Sequence, residues 1–321
     1  MIRTAASDVV APDLVAEAAR IGIPAPRLVV DAPLAHLEWR PAGDAAAPLA
    51  VLLHGVGGGR QGWMHTGATL AAQGWRVLAA DQPGYGLSPL IEPYDIAGMA
   101  EAVRRLVVWA AGAQGAPGAA LLVGHSMGGM VAQELMAHAP QHVSALVLAA
   151  TSPAFGAPGG AWQADFLRSR FAPLDAGLGM AGLAAQLVPT MAGREATPER
   201  LAEASALMAG VPETTYRSAL AALVKFDRRD ALARINLPTL VVTGEDDRTA
   251  APEVARRMAA RIPGAELAIV PATGHLLMLE QPARFDAALL DFVCRRLPAR
   301  RVPRARRCSS ATAWAAWWRR S

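Results

Sequence analysis

Lysine, cysteine and long apolar runs are scarce in this chain of 321 residues. Lys225 is the one lysine among 31 basic residues, a bias that a GC-rich coding sequence produces and that carries no functional weight. The two cysteines, Cys294 and Cys308, sit near the C-terminus; this excludes a small disulfide-built scaffold and predicts no disulfide framework. No apolar stretch reaches the roughly 18 residues that a membrane-spanning helix needs, and the mean hydropathy of +0.23 comes largely from alanine. Asp8, Asp13 and Glu17 interrupt the first twenty residues, where a secretory signal needs an unbroken apolar core, so a cytoplasmic location is expected. Acids are missing from the end of the chain: nine arginines and no acid follow Cys294, which leaves residues 1–294 at a formal −5 although the whole chain carries +4. The basic character therefore belongs to the tail, and the acidic body predicts neither a nucleic-acid partner nor stable membrane association. With 53% hydrophobic and 18% charged residues, the composition excludes a collagen and a disordered polymer and allows one large core with an inserted lobe.

What is present is a rhythm of short β-rich runs, each ending in glycine or a polar turn: 27–33, 34–40, 49–55, 75–81, 120–126, 145–151, 239–245 and 266–272. From LAVLLHG onward these runs are apolar throughout rather than alternating, as strands covered on both faces are, and helical stretches such as 98–113 and 128–139 separate them. The pattern predicts an α/β fold with a mostly parallel sheet. It breaks between about Pro153 and Asp230, where short helical patches mix with Gly and Pro and no good strand appears. The expected organisation is an N-terminal segment (1–25), a core (26–152 and 231–297) closed by an amphipathic helix over 280–297, an inserted helical cap (153–230), and a basic Arg/Trp-rich tail (298–321) read as a disordered appendage.

Chemistry concentrates in ALLVGHSMGGMVAQELMAHAP, where Gly124, Ser126 and Gly128 make G-x-S-x-G between an apolar strand and a helix. That context is what the motif requires: the turn is too tight for flanking side chains, and the serine projects alone from the sheet edge. Met127 begins the helix, so its N–H and the positive helix end point at charge developing beside Ser126. A serine hydroxyl is a weak nucleophile and needs a base with an orienting carboxylate. His275, in VPATGHLLMLEQP, and Asp247, in VVTGEDDRTAAP, both follow strand ends. Asp246 and Glu245 are neighbours of Asp247, and Asp246 stands as the second choice for the acid. A second oxyanion donor belongs to HGVGGGRQGW (54–63), with Val56 as the candidate. Nucleotide readings of these glycines fail on spacing: a dinucleotide fingerprint from Gly55 meets Arg60, and a P-loop ending at Gly62 meets Trp63 and Met64.

Five motifs in order, namely HG-x-G with Trp63 nine residues on, DQPGYGLS (81–88), GHSMGG, LPTLVVTGEDD and ATGHLLMLEQP, make residues 26–297 resemble the α/β-hydrolase superfamily. The resemblance implies an eight-stranded, mostly parallel sheet flanked by helices with an inserted cap. It prefers Asp247 through the G-x-x-D spacing from Gly244, gives Asp81, Ser88 and His54 structural roles, and gives His125 none in catalysis. Ser126 argues against the epoxide hydrolases and haloalkane dehalogenases, which use aspartate at the elbow. The ring-cleavage carbon–carbon hydrolases usually carry asparagine before the serine and tryptophan after the catalytic histidine, whereas His125 and Leu276 stand here. The implied group is the capped esterases and enol-lactonases: a Ser126–His275–Asp247 triad, Val56 and Met127 as oxyanion donors, a small-molecule ester or lactone as substrate, and no cofactor or metal. Carbon–carbon hydrolysis and cofactor-free perhydrolysis are the alternatives within the fold, and a ligand receptor that keeps the fold without turnover is the alternative outside enzymes. A homo-oligomer is left open.

A histidine base, with a reference pKa near 6.5, makes activity fall on acidification below neutrality. Trp162, Phe166, Phe171, Met180, Met191 and Met208 are candidate cap walls, and Arg168, Arg170 and Arg194 are candidates to hold a substrate carboxylate, with solvated surface positions the simpler reading of each arginine. Deleting residues 299–321 is expected to leave esterase activity unchanged in a chromogenic ester assay; a large loss would make the tail part of the working structure.

Overall fold

In a computed structural model, which describes residues 12–41, 47–114, 118–156 and 160–297, all eight β-rich runs contain strands of one sheet. They are β1 (Arg27–Val29), β2 (His36–Trp39), β3 (Leu49–Leu53), β4 (Arg76–Ala80), β5 (Ala120–His125), β6 (Val143–Ala149), β7 (Thr239–Gly244) and β8 (Glu266–Val270), in the spatial order β1-β2-β4-β3-β5-β6-β7-β8. β2 is antiparallel to both β1 and β4, and every other pairing is parallel. β3, β4 and β5 are buried along their whole length, which is why their sequences are continuous Leu, Val and Ala rather than alternating.

Outside the stretch between β6 and β7 the helices are α1 (Pro12–Arg20), α2 (Met64–Ala72), α3 (Ile96–Gln114) and α4 (Met127–His138), then α9 (Pro252–Arg261), α10 (Leu277–Glu280) and α11 (Pro282–Arg296). Between β6 and β7 the chain instead forms four consecutive helices, α5 (Ala161–Asp175), α6 (Gly179–Met191), α7 (Pro198–Ala209) and α8 (Glu213–Leu223). The two ends of this insert meet in a short antiparallel neck: Ala154 bridges Asp227, Phe155 N–H donates to Phe226 O at 3.1 Å, and Arg228 N–H donates to Pro153 O at 2.7 Å. Arg228 also ion-pairs with the buried Glu134 of α4 at 2.6 Å, fastening the neck to the sheet's own helix.

The chain leaves the carboxyl ends of β3, β5, β7 and β8 along one edge, where open α/β sheets place their binding crevices. This puts Val56, Ser126, Asp247 and His275, which are distant in sequence, on neighbouring loops. Cys294 on α11 is disulfide-bonded, which two isolated cysteines did not predict; Cys308 and the rest of segment 298–321 lie outside the described residues. No helix among the described residues is long and apolar enough to cross a membrane.

α11 is held against α2 by a buried carboxylate. Asp286 accepts hydrogen bonds from Thr66 Oγ1 at 2.7 Å and Thr69 Oγ1 at 2.6 Å, beside the packing of Trp63 on Phe285. Burial pushes its carboxyl up to about 6, against the opposing effect of the two hydroxyls. A folded-state value above the unfolded one means the folded protein holds the proton more tightly, so this group's contribution is full below about pH 4 and is lost as pH rises through 6. Asp286→Asn is therefore expected to gain stability relative to wild type between pH 4.5 and 7.5, by on the order of 1–3 kcal/mol, read as a pH-dependent difference between the two melting curves; a constant difference would overturn this.

Candidate active site

Ser126 lies between the last residue of β5 and the first of α4 with φ 52° and ψ −117°, a left-handed backbone that a non-glycine residue adopts only where its surroundings enforce it. The enforcement is crowding. A Cβ at Gly124 would strike the carbonyl of Gly128, and one at Gly128 would strike the carbonyl of Leu53. Ser126 N–H donates to Ala149 O at 2.9 Å, and its carbonyl accepts from Thr151 Oγ1 at 2.7 Å. The serine is thus pinned from β6 on one side and capped by α4 on the other.

Met127, fully buried, begins α4, and Val56 lies in the loop after β3. Neither N–H donates to a protein acceptor among the described residues, and Val56 is half-buried beside the cavity it lines. The Val56 loop is held rigidly. His54 Nδ1–H donates to Gly55 O at 2.8 Å, its Nε2 accepts from Gln82 N–H at 3.0 Å, and Tyr85 OH donates to Val56 O at 3.0 Å. Asp81 ion-pairs with Arg60 and accepts Arg60 N–H at 3.0 Å, while Ser88 Oγ joins Asp81 O to Ala35 N–H. These contacts account for His54, Asp81 and Ser88 as supports of the loop.

His275 follows β8 and is buried, with Nδ1 2.9 Å from Asp247 Oδ2. Asp247 is buried too, and its other oxygen accepts from Thr249 N–H at 2.8 Å and Ala250 N–H at 2.9 Å. Three acceptor contacts orient this carboxylate, and the one to the imidazole assigns its proton to Nδ1, leaving Nε2 as a lone pair. Asp246, the competing acid, is engaged elsewhere: it accepts Arg194 N–H at 2.9 Å and the Arg194 guanidinium, which also pairs with Glu245. Ser126 and His275 line one cavity; no hydrogen bond joins their side chains, a looseness usual when no substrate is bound. His125 does not compete for the proton. Burial pushes it down to about 3, with the neighbouring His275 adding to the effect, and its Nε2–H donates to His275 O at 2.8 Å.

The cavity holds about 550 Å³, within the range of small-molecule sites. Of the expected wall residues, Trp162, Phe166, Met191 and Met208 line it. Phe171 does not, because it lies beneath the guanidinium of Arg217, and Met180 is buried away from it in the insert. Among the three arginines, Arg194 is taken by Asp246 and Glu245, Arg168 pairs with Asp165 on the surface, and Arg170 alone faces the cavity. Sequence reasoning missed Arg248, which also lines it, and Glu280. The buried Glu280 carboxylate accepts three backbone N–H groups: Gly193 at 2.7 Å, Gly274 at 2.8 Å and Leu276 at 2.9 Å. An acid inside the apolar run LLMLEQP was the available signal. No group of three or more His, Cys, Asp or Glu able to hold a metal occurs among the described residues.

Glu280 fixes the residues on both sides of His275, so its loss should act on rate before binding. Glu280→Gln is expected to lower kcat about 10- to 100-fold with little change in KM, together with a lower melting temperature; steady-state kinetics giving wild-type kcat would show that the loop is held by other contacts.

Comparisons with known proteins bear on the family of the chain. The family model described as the alpha/beta hydrolase fold matches residues 48–282. A Variovorax paradoxus protein named as a carbamate hydrolase is 33% identical over 265 residues, covering 81% of this chain and 96% of its own. A pimeloyl-[acyl-carrier protein] methyl ester esterase of Edwardsiella ictaluri is 32% identical over 277 residues, covering 81% and 98%. The crystal structure of the enol-lactonase from Burkholderia xenovorans superposes with a TM-score of 0.69 at 25% identity, covering 80% of this chain and 96% of that one. Strand order, elbow and matched length together make this chain a member of the α/β hydrolase fold family.

Proposed function

We propose that this chain is a serine hydrolase that cleaves a carboxylic ester or lactone through an acyl-enzyme, with Ser126 as nucleophile, His275 as general base and Asp247 as the acid that orients it. The observation that carries this reading is the buried hydrogen bond of 2.9 Å between His275 Nδ1 and Asp247 Oδ2, in the wall of the cavity that Ser126 also lines. Asp247 rather than Asp246 is favoured because Asp246 is committed to Arg194. Relatives named as esterases support the ester class.

The steps follow from the proton positions. His275 Nε2 takes the Oγ proton as Ser126 attacks the carbonyl carbon, and Asp247 stabilises the imidazolium through Nδ1–H. The N–H groups of Val56 and Met127 receive the oxyanion; a donor of this kind is worth about 100- to 1000-fold in rate. Collapse of the intermediate breaks the carbon–oxygen bond, and the alcohol leaves with the proton from His275. In a lactone the alcohol stays attached, and the product is a hydroxy acid. Water deprotonated by the same imidazole then releases the acyl group and restores Ser126. Helices α5–α8 serve as the cap, and Phe166, Met191 and Met208 supply the apolar wall for the substrate.

p-Nitrophenyl esters of increasing chain length, with a fluorophosphonate label, test the assignment. Wild type should turn over and label at Ser126, and Ser126→Ala should do neither. Asp247→Asn should lose about 10⁴-fold in kcat, whereas Asp246→Asn, whose partner is an exposed arginine, should lose less than about tenfold. Equal slow release by wild type and Ser126→Ala would overturn the proposal.

A further inference from the structure

The cavity wall is unevenly charged. Its lining includes Arg170 and Arg248 and, among the described residues, no aspartate or glutamate, in a body whose residues 1–294 carry a formal −5. Other arginines of the insert face carboxylates: Arg168 pairs with Asp165, Arg194 with Asp246, Arg217 with Glu213 and Arg228 with Glu134. Arg170 and Arg248 have neither an ion pair nor a side-chain hydrogen bond among the described residues.

Arg170 is partly buried, and its guanidinium carbon lies 5.0 Å from the centroid of the Phe166 ring. Stacking on a ring face holds the guanidinium plane and leaves its edge donors unspent. Phe166 in turn stacks on Trp162, with centroids 6.0 Å apart. Trp162, Phe166 and Arg170 fall at every fourth position of α5 and all line the cavity, so the helix presents an aromatic row that ends in a cation. Trp162 is 59% exposed, which sets the open end of the row at the solvent. Tyr216 completes the arrangement. It is buried, lines the same cavity and has no partner for its hydroxyl among the described residues; burial pushes its phenol up to about 12, with the charge of Arg170 acting on it in the opposite sense. The hydroxyl therefore remains a donor through the neutral range. A cation and a hydroxyl without protein acceptors, both facing the cavity, are available to a ligand that supplies the acceptor.

We propose that the cavity selects esters carrying a free carboxylate, which the guanidinium of Arg170 and the hydroxyl of Tyr216 bind while Arg248 draws the anion in. The substrate class is a hemiester of a dicarboxylic acid, and the proposal rests on the reading of Ser126 as nucleophile. A planar carboxylate matches the paired N–H edge of a guanidinium, which is why arginine serves this recognition better than lysine.

The test compares monomethyl glutarate, adipate and pimelate with methyl pentanoate, hexanoate and heptanoate, using the full chain. At least one hemiester should exceed its neutral counterpart in kcat/KM by about tenfold or more, and Arg170→Met should reduce that preference about 10- to 100-fold, as the loss of a charged hydrogen bond does. Arg170→Lys should keep part of it, and Arg168→Met, whose side chain lies outside the cavity, should keep all of it. Neutral esters cleaved as well as hemiesters, or a preference untouched by Arg170→Met, would overturn the proposal. Failure of the nucleophile reading looks different: no ester turns over at all. Calorimetric binding of the hemiesters to Ser126→Ala then decides the matter, since binding that Arg170→Met does not weaken would exclude the carboxylate site.

Discussion

Between β5 and α4 the backbone turns so tightly that a methyl group at Gly124 would meet the Gly128 carbonyl, and one at Gly128 would meet the Leu53 carbonyl. That closeness forces Ser126 into its positive φ and brings the start of α4 against the loop after β3. A conformation of this kind costs on the order of 1–3 kcal/mol and persists only when surrounding contacts determine it. Ala149 and Thr151 supply those contacts from β6 and the residues that follow it.

The electrostatics of the edge separate three histidines by burial and hydrogen bonding. His54 and His125 are enclosed, and desolvation lowers both. His54 spends both ring nitrogens on backbone, at Gly55 and Gln82, and His125 spends Nε2 on the carbonyl of His275. All three line the cavity, and of the three His275 alone has a carboxylate partner. Neutral neighbours therefore hold the imidazole in place without adding positive charge beside it.

Much of this was legible in the chain. The parallel strands lay where apolar runs ended in glycine, and the elbow announced itself through Gly124, Ser126 and Gly128. The first run, 27–33, outlasts β1 because it takes in the turn residues Asp31–Pro33, which do not extend the ladder; proline has no N–H to give. Local signals also ran out where one residue works through distant ones. Glu280 matters because Gly193, 87 positions away, lies on its carboxylate. Phe171 and Phe166 are alike in composition, yet only one faces the cavity; the direction of a side chain on α5 is set by packing against α8 that no single stretch encodes. Similarly, the separation of Asp247 from Asp246 required knowing where Arg194 returns from the insert.

The last residues of α6 and the link to α7 are sewn into the loop that carries His275: Met191 O accepts His275 N–H at 2.8 Å, Gly193 shares the carboxylate of Glu280, and Arg194 grips Asp246. The insert is consequently anchored at its centre as well as at its neck. Grafting α5–α8 from another protein onto this sheet would remove part of the histidine's mounting unless residues 191–194 travelled with the host. Selectivity is more safely re-engineered on α5, which has no such stitch to the imidazole.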